Sequence, residues 1–545
     1  MTKRLETAVP GLDAILEGGL LYHNSVLIKG QPGCGKTTLG IQIVYNGAAL
    51  FNEPGIIVLF EQFPQQLHRD LESYNWDVKG MTEQKKLIVL FPPATDLLST
   101  PYMEESPLIS NIIDAATNLG ARRILVDGMT HFLKVLDSDA NEREVYLKFL
   151  NALKSVGLTP ILTAEGSPND KNTGYEDFLS DCVIHLSNEA AHDTSFIMRQ
   201  LSVQKTRGHG HIRGKHPYRI SEKGIEVFPN IAPRLRDDSA QQQDSTELIR
   251  IPSGVDGLDN MLGGGFTKGT ASIVAGMPGT FKTTLGAEFA AAGAKQDETS
   301  LILSLNENPR FLMQTMHAKG IELQPLVETG KLKILHFFPK HFYMEEFLQQ
   351  VEQELASNGT ARVVVDGVNE LERSIEDPAA CKDYLTRFLV ALRNCGATSL
   401  FIQKLDRFTS SAPLTDIEYA ALFDGIIYTA TVEIESSVHK VISILKMRGS
   451  AYQTDLRELT CGAQGLQIRN KFHGISGILS GNVQGQYKKT IEEVFQPLYF
   501  VRDFLSMVAS PDIDDAQRQE MTQSMSREIS KLIDHLGKYF DVEKP

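Results

Sequence analysis

The chain has no apolar run approaching the roughly 18 residues that a membrane-spanning helix needs. The opening Met1-Thr2-Lys3-Arg4-Leu5-Glu6 is not followed by the apolar stretch of a secretory signal. These two absences give the expectation of a cytoplasmic protein with no membrane partner. Cysteine is scarce: Cys34, Cys182, Cys381, Cys395 and Cys461 are scattered without paired or metal-like spacing, so reduced thiols are expected rather than bridges or zinc. Positive charge is also in deficit. A formal net charge of −14 opposes nonspecific adhesion to nucleic acid, although it leaves room for a local basic channel. Core-forming residues are plentiful, with 42% hydrophobic and 22% charged, and 545 residues call for several domains.

One motif occurs twice. Gly30-Gln31-Pro32-Gly33-Cys34-Gly35-Lys36-Thr37 is a complete phosphate loop, and Gly276-Met277-Pro278-Gly279-Thr280-Phe281-Lys282-Thr283 repeats it with phenylalanine in place of the last glycine. In such a loop backbone N–H groups at a helix N-terminus surround phosphates, the lysine reaches the β and γ groups, and the threonine hydroxyl binds Mg²⁺. Apolar strands precede both copies (Ser25 to Ile28, Ser272 to Ala275) and helix-like segments follow, so a chance glycine-rich turn is disfavoured. Gly30, Gly33, Gly35, Lys36, Thr37 and Thr38 are therefore candidate ATP-binding residues, matched by Gly276, Gly279, Lys282, Thr283 and Thr284. Cys34 sits at a free position of the motif. Phe281 leaves two readings: it crowds the phosphates, or it points outward.

The repeat extends beyond the loops. Gly11 and Gly257, like Lys36 and Lys282, lie 246 positions apart, so the first stretch aligns without a gap. Arg123-Ile124-Leu125-Val126-Asp127-Gly128 answers Arg362-Val363-Val364-Val365-Asp366-Gly367, each reading as a buried parallel strand that delivers a carboxylate to its C-terminal edge. Asp127 and Asp366 are thus candidate metal residues beside Thr37 and Thr283. Two further strands end in Phe60-Glu61-Gln62 and Asn306-Glu307-Asn308, where a carboxylate can orient or deprotonate a water. Gln204-Lys205-Thr206-Arg207-Gly208 and Leu445-Lys446-Met447-Arg448-Gly449 place two cations on one strand face before a glycine turn, an arrangement suited to a neighbouring phosphate.

These features together resemble the KaiC family of RecA-like ATPases, carried also by Ser253-Gly254-Val255 through Gly263-Gly264-Gly265-Phe266, Lys446-Met447-Arg448-Gly449-Ser450, and His216-Pro217-Tyr218 leading to Gly224-Ile225-Glu226-Val227-Phe228-Pro229. The expected fold class is α/β: two tandem RecA-like P-loop domains with mainly parallel central sheets, plus a helical C-terminal tail. The boundaries read as 1–231, a polar linker at 232–248, 249–485, and a helical extension at 486–545. The resemblance implies a homo-oligomeric double ring, usually hexameric, with ATP and Mg²⁺ at subunit interfaces. Lys205 and Arg207, or Lys446 and Arg448, would then act in the adjacent subunit's site. Glu61 would be the general base of the first site, and Glu307 would stand where a hydroxyl is deprotonated for autophosphorylation.

Departures from the family pattern matter as much. Where the family places two consecutive glutamates, each half keeps a different one. Ala420 and Ala421 fall where circadian members carry adjacent phosphorylated Ser and Thr, although Thr409, Ser410, Ser411 and Thr415 lie near. An ATPase without that phosphorylation cycle is the leading expectation. The alternatives are an autokinase using those other hydroxyls, a RecA-type DNA-dependent recombinase or helicase, and a nucleotide-gated scaffold. The near-neutral excursion at 166–175 argues against DNA. In the extension, Met521, Met525, Ile529, Leu532, Ile533 and Leu536 form one helical stripe, for packing on its own ring or for a partner protein. His209, His211 and His216 lack the companions of a metal site, and His211 resembles a family position near the neighbour's nucleotide.

Overall fold

The computed structural model describes residues 3–60, 67, 69, 71–92, 107–129, 142–166, 174–190, 197–230, 248–338, 343–375, 377–405, 419–434, 437–471, 475–476, 484–485, and, near the C-terminus, 519, 522–524, 526–527 and 529–530. The chain divides into two compact units, Met1–Arg234 with Lys340–Glu354, and Leu235–Pro339 with Leu355–Pro545.

In the first unit nine strands lie in the order Gly224–Val227, His216–Ser221, Ile197–Thr206, Cys182–Ala190, Val26–Gly30, Thr159–Glu165, Arg123–Asp127, Gly55–Leu59 and Leu87–Leu90. The pairings from Cys182–Ala190 to Leu87–Leu90 are parallel, and the rest are antiparallel. The second unit repeats this order with Gly465–Lys471, Arg457–Gly462, Ser437–Met447, Gly425–Ile434, Ala271–Gly276, Thr398–Lys404, Arg362–Asp366, Ser300–Ser304 and Leu332–His336. Its parallel and antiparallel pairings fall at the same places. Two copies of one connectivity, with the loop leaving a central strand, make this a duplicated RecA-like α/β fold.

The β-branched strands are buried because helices cover both faces, as a parallel sheet requires. Side chains alternate with a period of two: Leu125, Ile57 and Ile161 pack with the helix Lys36–Leu50, while Ile124, Val126, Ile56 and Leu162 pack with Pro107–Leu119 and Glu142–Ser155. One device recurs at the edge of each core. Arg123 and Arg362, at the first position of matched strands, are 1% and 0% exposed. Arg123 donates to Glu53 at 2.9 and 2.7 Å and to the Ile43 carbonyl at 3.0 Å; Arg362 donates to Glu298 at 2.5 Å and to the Pro252 and Phe289 carbonyls at 2.7 and 3.1 Å. Gly47 and Gly293 make room, since a Cβ on either would stand 2.4 Å from the arginine Nε. Removing one partner of such a pair leaves a buried charge uncompensated, a loss of about 3–5 kcal/mol.

The repeated Leu-Asp phrase is a clasp. Asp13 accepts from the Thr7 amide and hydroxyl and from the Ala8 amide, and Asp259 accepts from the Ser253 amide at 2.7 Å. Among the described residues no helix is long and apolar enough to cross a membrane. Most of the linker and of the extension's Met and Leu stripe lies outside the described residues; of that stripe only Ile529 is within them, in helix.

Candidate functional site

Both phosphate loops leave the C-terminal end of their strand and enter a helix, at Lys36–Leu50 and Lys282–Lys295. Gly33 and Gly279 take φ of 78° and 76°, and the residues capping the helices, Gly35 and Phe281, take φ/ψ of 92/22° and 64/20°. The two loops therefore share one backbone path, and Phe281 holds a left-handed conformation that costs an L-residue about 1–2 kcal/mol. A Cβ at Gly35 would point at Ile220 Cδ1, 2.8 Å away. In the second sheet Cys461 stands at the register position of Ile220, paired with Leu466 as Ile220 is with Ile225. Phenylalanine for glycine thus coincides with cysteine for isoleucine, and the Phe281 ring packs against the second core. The side chain turns toward the core, which is neither of the two readings of Phe281, crowding the phosphates or pointing outward.

Lys36 donates to the Gly30 and Gln31 carbonyls at 3.0 and 3.1 Å, and Lys282 to the Met277 carbonyl at 2.6 Å. Cys34 is fully buried and its thiol pKa is raised by that burial, so it is inert packing; the Tyr218 hydroxyl donates to its carbonyl. In the second loop Thr280 bonds Thr429 at 2.8 Å instead.

The carboxylates differ more. Thr37 donates to both Asp127 oxygens at 2.9 and 3.0 Å, and Thr163, from the next strand, donates at 2.6 Å. Burial raises the Asp127 pKa, while the two threonines and Lys36 oppose that rise. Strand register puts Ile402 opposite Asp366, where a hydroxyl is missing. Asp366 keeps its Thr283 bond, but Oδ2 is buried without a partner. Its pKa rises to about 6, from burial first and then from Glu307, partly opposed by Thr283 and Lys282. Glu307 also has an unpartnered buried oxygen, Oε2. Burial likewise lowers Lys282 to about 8, with Lys404 adding to the effect and Asp366 opposing it. A buried carboxylate beside a threonine hydroxyl at a helix N-terminus suits a hard, oxygen-seeking cation such as Mg²⁺, and the first site meets that test with the fuller set of partners. Glu61 lies outside the described residues.

A cavity of about 260 Å³ adjoins the first loop, lined by Thr37, Thr38, Ile41, Leu67, Leu71, Ser73 and Tyr74. The Tyr74 hydroxyl is 3.4 Å from that of Thr38, and its ring stacks on Trp76, which stacks on Tyr45, at centroid distances of 4.9 and 5.7 Å. Sequence reasoning missed this wall and Thr163; an aromatic cluster one helix beyond the Glu61 strand was the available signal.

The two cation pairs sit elsewhere. Lys205 is level with Val183, which is level with Leu27, so Lys205 and Arg207 stand at the end of the sheet opposite their own loop. Lys446, level with Ile426 and hence with Ile273, repeats this. Lys205 donates to the carbonyls of Asp177, Phe178 and Ser180, and Arg207 to that of Phe178, closing the end of the helix Tyr175–Leu179. Lys446 donates to the carbonyls of Ala420 and Phe423, and Arg448 to that of Ala421. Burial, then the adjacent arginine, lowers both lysine pKa values. Arg207 and Arg448 remain more than half exposed, at 55% and 56%. His211 bonds the Thr206 hydroxyl at 2.9 Å, and both His216 nitrogens meet backbone groups.

Fold and loops define a chain of two RecA-like P-loop nucleotide-binding domains in tandem. The family model of the KaiC ATPase matches residues 5–232 and again 251–472, and the chain belongs to that family. The circadian clock oscillator protein KaiC of Thermostichus vulcanus is 31% identical over 493 residues, 88% of this chain and 91% of that protein. Proteins of the same name from Synechococcus elongatus and Prochlorococcus marinus are each 29% identical, over 88% of this chain and 91% and 95% of theirs.

Proposed function

We propose that this protein is a slow, Mg²⁺-dependent ATPase that assembles as a homo-oligomeric double ring, hexameric by the family resemblance, and hydrolyses ATP mainly in its first domain. The observation that carries the asymmetry is the contrast between Asp127, held by Thr37 and Thr163, and Asp366, whose Oδ2 has no partner. Lys36 exchanges its loop carbonyls for the β- and γ-phosphate oxygens, and Thr37 with Asp127 holds the metal. Held by Thr37 and Asp127, a bound Mg²⁺ would supply neutralisation of the phosphate charge. Glu61 serves as general base.

Lys205 and Arg207 support assembly as a condition of turnover. They stand at the far end of the sheet from their own loop, so they reach a phosphate only in a neighbouring copy. The second domain binds nucleotide to hold the ring, with Glu307 left from a phosphotransfer site whose two acceptor positions are Ala420 and Ala421. Turnover and particle size of wild type, Lys36→Ala and Lys282→Ala, with and without Mg·ATP, test this. Lys36→Ala is expected to lower hydrolysis at least about tenfold, and Lys282→Ala to weaken assembly while leaving most turnover per ring. A larger loss of turnover from Lys282→Ala sinks the assignment, and ATP-dependent phosphate on the second domain sinks the loss of the phosphorylation cycle.

A further inference from the structure

Beside the second phosphate loop Lys319 and Lys404 stand where the first has an aromatic wall and a carboxylate, while Lys440 is matched in strand register by Arg199 of the first domain. Leu67, Leu71 and Tyr74 share their spacing with Leu312, Met316 and Lys319. The geometry agrees, since Tyr74 meets Thr38 and Lys319 meets the matched Thr284, at 2.8 Å. Lys319 therefore ties its amine to the first turn of the helix at the place where the ring of Tyr74 walls the first cavity.

Strand register gives a second exchange. Glu165 is level with Gly30 and Lys404 with Gly276, the first residues of the two loops. Tyrosine to lysine adds one positive charge and glutamate to lysine adds two. The Phe281 ring organises the cluster, with the Lys319 ammonium 5.9 Å and the Lys440 ammonium 3.9 Å from its centroid. Lys404 lies close enough to Lys282 to help lower its pKa.

A flat apolar wall with hydroxyl tips recognises a base, whereas ammonium groups around a loop recognise phosphate charge and are indifferent to the base. We infer that the second site selects its ligand by the polyphosphate chain, so that nucleoside triphosphates of any base, and inorganic tripolyphosphate, compete there with ATP. The first site, with its cavity and Tyr74, is the base-selective one. This rests on the reading that the second domain binds nucleotide at all.

The test is equilibrium binding of ATP, GTP and inorganic tripolyphosphate, each with Mg²⁺, to Lys36→Ala, which leaves the second site, and to Lys282→Ala, which leaves the first. Lys282→Ala is expected to prefer ATP by at least about tenfold, and Lys36→Ala to bind all three within about threefold. Adding Lys319→Tyr to Lys36→Ala should raise the preference for ATP over tripolyphosphate severalfold. In the wild type, tripolyphosphate should displace one of two bound ATP molecules per chain, leaving unchanged the fluorescence of Trp76, the single tryptophan, beside the first site. Tenfold selection of ATP by Lys36→Ala overturns the inference while leaving nucleotide binding intact. No binding of any of the three overturns both.

Discussion

Gly35 and Phe281 occupy one place in two loops whose glycines turn alike, while the strands beside them carry Thr163 in one domain and Ile402 in the other. The departure visible in the motif is absorbed by packing, and a second departure lies in a neighbouring strand. A phosphate loop needs its backbone path, which Phe281 keeps at the cost of a left-handed φ. The matched carboxylates differ more: Asp127 accepts from Thr37 and Thr163, whereas Asp366 Oδ2 has no protein partner beside Glu307.

The largest effect that tests this contrast is on turnover. Asp127→Asn is expected to lower hydrolysis on the order of 10³-fold, about 4 kcal/mol, because it weakens the group proposed to hold the metal at the proposed hydrolytic site. Asp366→Asn should lower it less than about threefold in rings that have formed. Steady-state phosphate release at saturating Mg·ATP measures both, and equal losses would erase the functional difference between the domains.

A stability cycle sharpens the account of Phe281. Gly35→Phe should destabilise the first domain by about 3 kcal/mol, combining the left-handed φ with the clash at Ile220 Cδ1, 2.8 Å from the new Cβ. Ile220→Cys, harmful alone because it opens a void, should recover about 1 kcal/mol in the Gly35→Phe background. Denaturant unfolding of the four variants gives the coupling. If Ile220→Cys costs the same in both backgrounds, the exchange with Cys461 is coincidence.

Much of this was legible in sequence because the informative residues are close together in the chain. Strand, glycine loop, lysine and helix fall within one short window in each half, and the Asp127 and Asp366 strands announce themselves by an unbroken apolar run. Thr163 was not legible: it is 36 residues from Asp127 and meets it only through parallel pairing. Tyr74 and Lys319 were hidden for the same reason, as each reaches its loop across a helix. Arg123 and Arg362 mark the repeat in the sequence, but a charged residue opening a strand reads as solvated until Gly47 and Gly293 show the space cut for it. The Lys205 and Arg207 pair was visible as chemistry, whereas its place at the far end of the sheet required the antiparallel register.

The smallest expected effect concerns pH. Asp366 has a folded pKa of about 6 against an unfolded value near 3.8, so its contribution to stability is fully present below the unfolded value and is lost as pH rises through the folded one. At neutral pH the second domain carries a buried carboxylate whose ionisation burial opposes. Asp366→Asn should therefore raise that domain's unfolding free energy at about pH 8 by about 2 kcal/mol, since a tenfold change in proton affinity corresponds to about 1.4 kcal/mol and the amide keeps part of the desolvation cost. The gain should shrink between about pH 6 and pH 4 and vanish below, where wild type is protonated in both states. Asp127→Asn should gain less, because it gives up the bonds from Thr37 and Thr163. Calorimetry of both variants across this window decides it: a gain for Asp366→Asn independent of pH, or a larger gain for Asp127→Asn, would reverse which carboxylate the fold holds under protest.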